Sequence, residues 1–376
     1  MKNHLLSLES FGQSIWLDYI QRSFVDLGGL RKLVQQDGVK GLTSNPAIFA
    51  EAIANSNDYD HSIAELALAD LTAEEIFFKM AMADVRNAAN EFAHVYQKSG
   101  GVDGYVSLEV SPALANDTSN SVAQAKKLWK ELDRKNVMIK IPATREGLPA
   151  VSELIAEGIN INVTLLFDVG RYRKVAEAYV SGLEERLSKG ERIKNIASVA
   201  SFFLSRIDSE IDPMLDQIIS QHTGLATEAK YLKGKIAIAS AKEAYQVYRS
   251  IFESERFKRL ELEGAKPQRL LWASTGTKNS ACSDVLYVDS LIGRQTVSTL
   301  PMPTLEAFRD HGIASASLEE KTAEARLMLY HLEGLLGIRM AKVGRKLEAE
   351  GLKKFNAAFE NVLELIETKK RKVIVS

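Results

Sequence analysis

The sequence predicts an α/β protein, a (β/α)8 TIM barrel with extra helices and a helical C-terminal extension. Short apolar segments of strand character alternate with charged, amphipathic segments of helical period, a pattern typical of parallel βα units. Eight strand-like segments occur within 376 residues, a length that a single barrel fills. In several of these segments polar residues recur at every second position, which places them on one face of the strand.

The candidate strands, in chain order, span residues 15–20, 39–46, 104–110, 137–143, 160–167, 196–203, 269–275 and 296–301. Helical periodicity is clearest at 120–135 and 169–190, and the long intervals before the third and seventh strands leave room for extra helices. Helical character continues after the last strand. We therefore expect one barrel domain over residues 1–376, with the helical extension at about 317–370.

The composition argues against several classes of function. With 45% apolar residues and a formal net charge of −1, the chain supports a large core and offers no basic excess for nucleic acid or an anionic membrane. No run of eighteen apolar residues occurs, and the first residues lack the apolar stretch of a secretory leader, so a cytoplasmic location is expected. The single cysteine, Cys282, permits no internal disulfide, which fits a reducing compartment. The sequence leaves open whether the protein is a monomer or a homodimer.

Metal and nucleotide motifs are missing from the sequence. The six histidines are scattered, and none belongs to an HExxH, an HxH or a Cys/His cluster. Neither a GxGxxG turn after a strand nor a phosphate-binding GxxxxGK loop occurs. We therefore expect no metal site and no nucleotide-binding fold.

Polar residues share one face of the predicted strands. In 137–143, for example, Lys140 lies on the face opposite Ile139 and Ile141. The outer face of a barrel strand packs beneath helices and must be apolar, so the polar face is expected to point into the barrel, near the carboxyl ends where barrel enzymes keep their sites. The residues expected to converge there are Asp18, Thr43, Asn45, Glu109, Lys140, Asn162 and Thr164.

Lys140 is the best nucleophile of this set. Burial disfavours the charged form of an amine, and a neutral amine can attack a carbonyl carbon. The resulting iminium is an electron sink, so an adjacent C–C bond can break or form while carboxylates move protons. Two structural alternatives fit less well. An antiparallel sheet facing solvent does not suit the intervening helices, and a buried ion pair kept for stability alone returns little. The residues therefore indicate Schiff-base aldol chemistry.

Six ordered blocks of the sequence resemble those of transaldolases, most closely the long bacterial subtype. The blocks are LTSNPAIF, VSLEVSPALAND, VMIKIPATREGLPAV, ININVTLLF, SVASFFLSRID and LLWASTGTKN. The resemblance implies transfer of dihydroxyacetone from sedoheptulose 7-phosphate to glyceraldehyde 3-phosphate, which yields erythrose 4-phosphate and fructose 6-phosphate in the pentose phosphate pathway. Sugar phosphates would be the partners.

The resemblance also implies catalytic roles. Lys140 would form the Schiff base with the ketone of the donor. Asp18 would take the proton from the donor hydroxyl as the C–C bond breaks. Glu109 and Thr164 would hold a water that shuttles protons while the imine forms and hydrolyses.

Binding roles follow from the same resemblance. Asn45 and Asn162 would hydrogen-bond the hydroxyls of the dihydroxyacetone unit, supported by Thr43, and Ser201 would contact the same unit. The phosphate would lie at Arg206 and Ser274. Many transaldolases place an arginine two residues after the equivalent serine, whereas this chain has Lys278 four residues after it. A lysine binds phosphate as a point charge, without the fork of arginine.

Three rival functions stay open at this point. An aldolase of the same family would release free dihydroxyacetone, and such relatives are shorter and carry a tyrosine where this chain has Phe203. A sugar-phosphate isomerase on the same fold would not need a lysine in the barrel interior. A sensor that binds sugar phosphates without turnover would be expected to lack Lys140 or Asp18, and both are present.

Overall fold

The computed structural model describes residues 3–222, 224–279 and 281–375. Within them, eight parallel strands pair in chain order and close into a barrel, the last strand against the first. They are β1 Gln13–Asp18, β2 Gly41–Thr43, β3 Tyr105–Glu109, β4 Val137–Pro142, β5 Ile161–Leu166, β6 Ser198–Phe203, β7 Arg269–Ala273 and β8 Thr296–Leu300. The predicted barrel is thereby confirmed.

Helices connect the strands and form the outer layer. They are α1 His4–Ser7, α2 Arg22–Asp26, α3 Gly29–Gln36, α4 Pro46–Ala54, α5 Asp60–Ala67, α6 Ala73–Glu91, α7 Ala93–Lys98, α8 Thr118–Leu132, α9 Gly147–Ala156, α10 Val169–Ser188, α11 Ser205–Ser220, α12 Ala226–Leu232, α13 Ile236–Phe252, α14 Glu255–Leu262, α15 Leu286–Asp289, α16 Met302–His311, α17 Thr322–Gly334 and α18 Met340–Val375. Extra helices lie before β3 and before β7, where the sequence predicted them. Over the described ranges, no helix is both long and apolar enough to cross a membrane.

The first two strands differ most from the prediction. The second strand was expected to run to residue 46 but ends at Thr43, because the Asn45 side chain accepts hydrogen bonds from the N–H groups of Ala47 and Ile48 and so caps α4. Pro46 occupies the first turn of that helix, where its missing N–H costs nothing. The first strand lies two residues earlier than expected at each end.

The strand faces divide the core into two parts. Outward side chains such as Leu17, Leu108 and Ile139 belong to the large core beneath the helices. Inward side chains form a separate apolar cluster inside the barrel, which consists of Trp16, Tyr105, Met138, Ala197, Val199, Leu271, Ala273 and Val297. Most of the cluster lies nearer the amino-terminal, or lower, end of the strands than inward polar residues such as Asp18 and Lys140, as the order of Met138 and Lys140 along β4 shows.

The long helix α18 crosses the upper side of the barrel. It packs against α4, α5 and α6, and Phe359 rests edge-on against Phe77 at a centroid distance of 5.1 Å. Two glycines allow its close approach. A Cβ added at Gly344 would lie 2.8 Å from a carboxylate oxygen of Asp168, and one at Gly351 would lie 2.8 Å from Leu165. The end of the chain is thus fitted to the barrel mouth.

Candidate active site

A cavity of about 210 Å³ opens at the carboxyl ends of the strands. Nine of the twelve residues expected at the site line it: Asp18, Thr43, Asn45, Lys140, Thr164, Ser201, Phe203, Arg206 and Ser274. They come from six strands and the segments directly after them, which meet because the sheet is closed. Of the other three residues, Glu109 and Asn162 are buried on the strands that flank Lys140, and Lys278 lines a neighbouring cavity.

The Lys140 side chain lies among these groups and is 6% exposed. Strand register places Lys140 level with Glu109 of β3 and Asn162 of β5. Its Nζ donates a hydrogen bond of 2.9 Å to the backbone carbonyl of Ser44 and lies 3.3 Å from Oε2 of Glu109. A single carbonyl and one loosely placed carboxylate leave the amine only partly satisfied, which is the condition for a nucleophile.

Glu109 is the less satisfied member of this ion pair. Among the described residues, neither of its carboxylate oxygens has a hydrogen-bond partner of good geometry, nor does Oγ1 of Thr164. Burial raises the pKa of Glu109, and the nearby Lys140 charge opposes that rise without cancelling it. Buried polar atoms without protein partners are uncommon and mark either strain or a water-binding position.

Asp18 lies at the end of β1 beside a short chain of hydroxyls. Thr43 Oγ1 donates to Oδ1 of Asp18 at 2.8 Å and lies 2.7 Å from Oγ1 of Thr299. Because the Thr43 proton points to Asp18, the Thr299 hydroxyl must supply the proton of the second bond. Burial raises the pKa of Asp18, while the Lys140 charge and the Thr43 hydrogen bond lower it to a smaller extent.

The asparagines of the site are both held by protein groups. Asn162 Nδ2 donates to Ser107 Oγ at 3.0 Å, and Ser201 Oγ donates to Asn162 Oδ1 at 2.7 Å. The Asn45 oxygen caps α4, so its Nδ2 is the group left for a ligand. Asn162 is fully buried, and it therefore fixes the Ser201 hydroxyl from below.

Two residues at the mouth adopt a backbone conformation that is unusual for a side-chain-bearing residue. Leu165 has φ of 57° at an irregularity in the β5–β6 pairing, and Ser274 has φ of 53° directly after β7. Non-glycine residues with positive φ cost energy and cluster at functional sites. Ser274 Oγ is hydrogen-bonded to Ser205 Oγ at 2.8 Å, at the start of α11.

Beside this cavity lies a second one, of about 480 Å³, which shares Arg206 and Ser274 with it. Lys278 lines the second cavity and not the first. Arg206 is half-buried in the first turn of α11, and its guanidinium lies 5.6 Å from the ring centre of Phe203. Burial lowers the pKa of Arg206, with Glu350 opposing this shift. A recess lined by three cationic and two carboxylate side chains thus adjoins the lysine cavity.

Several residues at the site were missed by the sequence patterns. Thr299 could have been found, since the inward alternation of β8 predicts it from Val297. Phe355 lines the lysine cavity from α18, more than two hundred residues from Lys140 in sequence, and no local pattern signals it. Throughout the described ranges, no group of three or more His, Cys, Asp or Glu side chains could hold a metal ion.

The molecule is thus a (β/α)8 barrel that holds a buried lysine beside a carboxylate at the carboxyl ends of its strands, where barrel enzymes keep their sites. The model of the transaldolase/fructose-6-phosphate aldolase family matches residues 15–366. A transaldolase of Trichodesmium erythraeum is 46% identical over 99% of this chain and 98% of its own length. A Nostoc protein named transaldolase 2 is 47% identical over 98% and 97%, and a Mycobacterium bovis transaldolase is 42% identical over 96% and 95%. The chain belongs to the transaldolase/fructose-6-phosphate aldolase family.

Proposed function

We propose that this chain is a transaldolase that carries a dihydroxyacetone unit on Lys140 as a Schiff base. The observation that carries the proposal is the partly satisfied lysine, buried beside Glu109 at the mouth of a barrel of this family. The donor would be sedoheptulose 7-phosphate and the acceptor glyceraldehyde 3-phosphate. The lysine supplies the electron sink, so the reaction needs no dissociable cofactor.

The reaction begins with attack of the neutral Lys140 amine on the donor ketone. Loss of water from the carbinolamine gives an iminium. Asp18 takes the proton of the hydroxyl on the fourth carbon, the bond between the third and fourth carbons breaks, and its electron pair moves to the iminium nitrogen. Erythrose 4-phosphate leaves as an aldehyde, and a three-carbon enamine stays on the lysine. The enamine then attacks glyceraldehyde 3-phosphate, Asp18 returns the proton, and water releases fructose 6-phosphate.

Glu109 and Thr164 are assigned to the proton transfers of imine formation and hydrolysis. Their buried oxygens lack hydrogen-bond partners within the described residues, so a water could bind between them. The raised pKa of Glu109 makes its protonated form more accessible, which suits a group that must both give and take a proton. Glu109 would therefore serve the water steps, and Asp18 the C–C bond.

The substrate would lie across both cavities. Asn45 Nδ2 and the Ser201 hydroxyl line the first cavity and can bind the hydroxyls of the dihydroxyacetone unit, with Asn162 holding Ser201 in place. Thr43 would hold the Asp18 carboxylate in place through its hydrogen bond. The phosphate would bind at Arg206, Ser274 and Lys278, because these groups line the adjoining recess.

Phe203 favours transfer over release of dihydroxyacetone. Its ring lines the lysine cavity and packs against Phe167 at a centroid distance of 5.3 Å. A phenyl ring offers no acidic proton to the enamine, so the three-carbon unit survives until an acceptor arrives. An aldolase of the same family remains the second candidate.

The ratio of released dihydroxyacetone to transferred product tests this proposal. With fructose 6-phosphate alone, the wild-type protein should release little free dihydroxyacetone, and addition of erythrose 4-phosphate should yield sedoheptulose 7-phosphate rapidly. Phe203→Tyr should raise the release of dihydroxyacetone about 10-fold, and Phe203→Leu serves as the matched apolar control. Release by the wild-type protein that is as fast as transfer would make it an aldolase instead. The cytoplasmic location and the choice between monomer and homodimer stay predictions.

A further inference from the structure

We propose that Lys354 of α18 is a further cation of the phosphate site, so that the C-terminal helix takes part in recognising the substrate. This inference rests on the sugar-phosphate chemistry proposed above. Lys354 lines the 480 Å³ recess together with Arg206, Ser274 and Lys278. These cations come from a helix start, a loop and the terminal helix, and they face one space.

The charges around the recess leave the lysines available for an anion. Two carboxylates, Glu210 and Glu350, also line it, and Lys346 forms a salt bridge with each of them. Within the part of the chain that the structure describes, neither Lys278 nor Lys354 forms a salt bridge. A phosphate dianion that enters the recess would therefore meet lysines that no carboxylate already neutralises.

The backbone of α18 is held in place on both sides of Lys354. A Cβ added at Gly351 would lie 2.8 Å from Leu165 and 3.3 Å from an Arg206 nitrogen, so the helix approaches the recess as closely as a glycine allows. Phe355, the next residue, lines the lysine cavity, and Phe359 packs against Phe77. The position of Lys354 is thus set by a docked helix and not by a loose terminus.

The two neighbouring residues on α18 then have separate tasks. Phe355 contributes an apolar wall to the cavity of the reacting carbons, and Lys354 contributes charge to the recess of the phosphate. Since a lysine binds phosphate as a point charge without defined directions, it can add attraction from the open side while Arg206 sets the orientation.

The matched test compares Lys354→Gln with Lys353→Gln. Lys353 is adjacent, exposed and carries the same charge, but it lines neither cavity. Lys354→Gln should raise the KM for fructose 6-phosphate and the inhibition constant of inorganic phosphate on the order of 10-fold. Its kcat, and its KM for unphosphorylated fructose, should stay unchanged. Lys353→Gln should change each value less than about 2-fold, and Lys354→Arg should restore binding.

Two results would overturn the assignment. If both glutamine variants weakened phosphate binding equally, any positive charge on α18 would have the same effect and Lys354 would have no special role. If Lys354→Gln left the KM and the inhibition constant unchanged, Lys354 would not belong to the site. If the wild-type protein had no turnover, the proposed function would fail first. Protection against thermal unfolding by inorganic phosphate, compared between wild type and the two variants, would then still decide where the anion binds.

Discussion

The barrel holds two buried ion pairs at its opposite ends, and they are built differently. At the lower end, Arg269 at the start of β7 lies 2.8 Å from the Asp103 carboxylate, just before β3. At the upper end, Lys140 lies 3.3 Å from Glu109. All four side chains are at most 7% exposed. Burial alone therefore does not distinguish the two pairs, and the difference lies in their hydrogen bonds.

The lower pair is saturated. Asp103 accepts hydrogen bonds from the Ser14 hydroxyl at 2.7 Å and the Trp16 indole at 3.2 Å, and Arg269 also donates to Ser14 and to the Val102 carbonyl. Burial opposes ionisation of Asp103, but the Arg269 charge and these hydrogen bonds hold its pKa below the ordinary value. The pair is kept ionised.

The upper pair is left short of partners. The Glu109 oxygens have no well-aligned hydrogen bond from the described residues, and burial raises the pKa of Glu109 and of nearby Asp18. A raised carboxyl pKa brings the protonated form within easier reach, and such shifted groups are typical of sites that move protons. A buried ion pair whose hydrogen bonds are all made stabilises the fold, whereas a pair that lacks hydrogen-bond partners is able to react. This matches the usual division of a barrel, with stability at the amino-terminal end of the strands and chemistry at the carboxyl end.

The largest effect is expected at the upper pair, from Lys140→Met. This change removes the amine and nearly preserves the volume, so turnover and covalent trapping should fall to background. Thermal stability should fall little, because burial raises the pKa of Glu109 and loss of the Lys140 charge lets this carboxyl bind a proton instead of staying as an unpaired buried charge. Enzyme assay and thermal unfolding measure the two quantities on one sample. Unfolding of this variant would mean that the upper pair is structural as well.

The next effect is expected at the lower pair, from Asp103→Asn. The change leaves Arg269 buried without its counter-charge, which costs about 3 to 5 kcal/mol of unfolding free energy. Because the folded-state pKa of Asp103 is lowered, its contribution is present above the ordinary aspartate pKa and is lost as pH falls below it.

The matched control for the lower pair is Asp103→Leu with Arg269→Met, an apolar replacement of both partners. It should recover much of the lost stability. Denaturant unfolding at several pH values measures all three proteins. In each of them the folded fraction should keep its turnover, and a loss of turnover would link the lower pair to the chemistry.

Glu109→Gln makes the same carboxylate-to-amide change at the upper end. Unlike Asp103→Asn, it should not lower the free energy of unfolding. The raised pKa of Glu109 means that ionising it costs stability as pH rises above the ordinary glutamate value. An amide cannot ionise, so stability near neutral pH should rise or stay level. The rate of imine formation should fall about 100-fold. A loss of stability as large as that of Asp103→Asn would erase the distinction between the two ends.

The smallest effect is expected from Thr43→Val. It removes the hydrogen bond that lowers the pKa of Asp18, so this pKa should rise further. If Asp18 acts as the base, the acid limb of the pH–rate profile should move to higher pH by about 0.5 to 1 unit. Thr299→Val acts one hydroxyl away and should shift the limb less, in the same direction. A shift to lower pH would argue against Asp18 as the base.

The sequence predicted most of the barrel and its chemical residues for a simple physical reason. Strand side chains alternate with period two, so a polar residue such as Lys140 or Glu109 within an apolar strand must point inward. Closure of the sheet then brings them together without further information. The ends of the strands were predicted less accurately. The second strand ends early because the Asn45 cap of α4 competes with continued strand pairing.

The parts that escaped the sequence patterns depend on packing between distant segments. Phe355 and Lys354 reach the site only because α18 crosses the mouth of the barrel, and glycines make that contact possible. The lower pair was missed as well. Arg269 begins β7 and Asp103 precedes β3, so both lie at the amino-terminal ends of the strands, away from the carboxyl ends where catalytic residues are expected. Closure of the barrel brings the two side chains together.

Reductive trapping tests directly whether Lys140 forms the Schiff base with the donor. The protein is treated with borohydride in the presence of fructose 6-phosphate, and its peptides are then analysed by mass spectrometry. We expect a three-carbon adduct on the peptide that carries Lys140, and none in Lys140→Met. No adduct from a folded wild-type protein, with a positive control enzyme trapped in parallel, or an adduct on another lysine would contradict it.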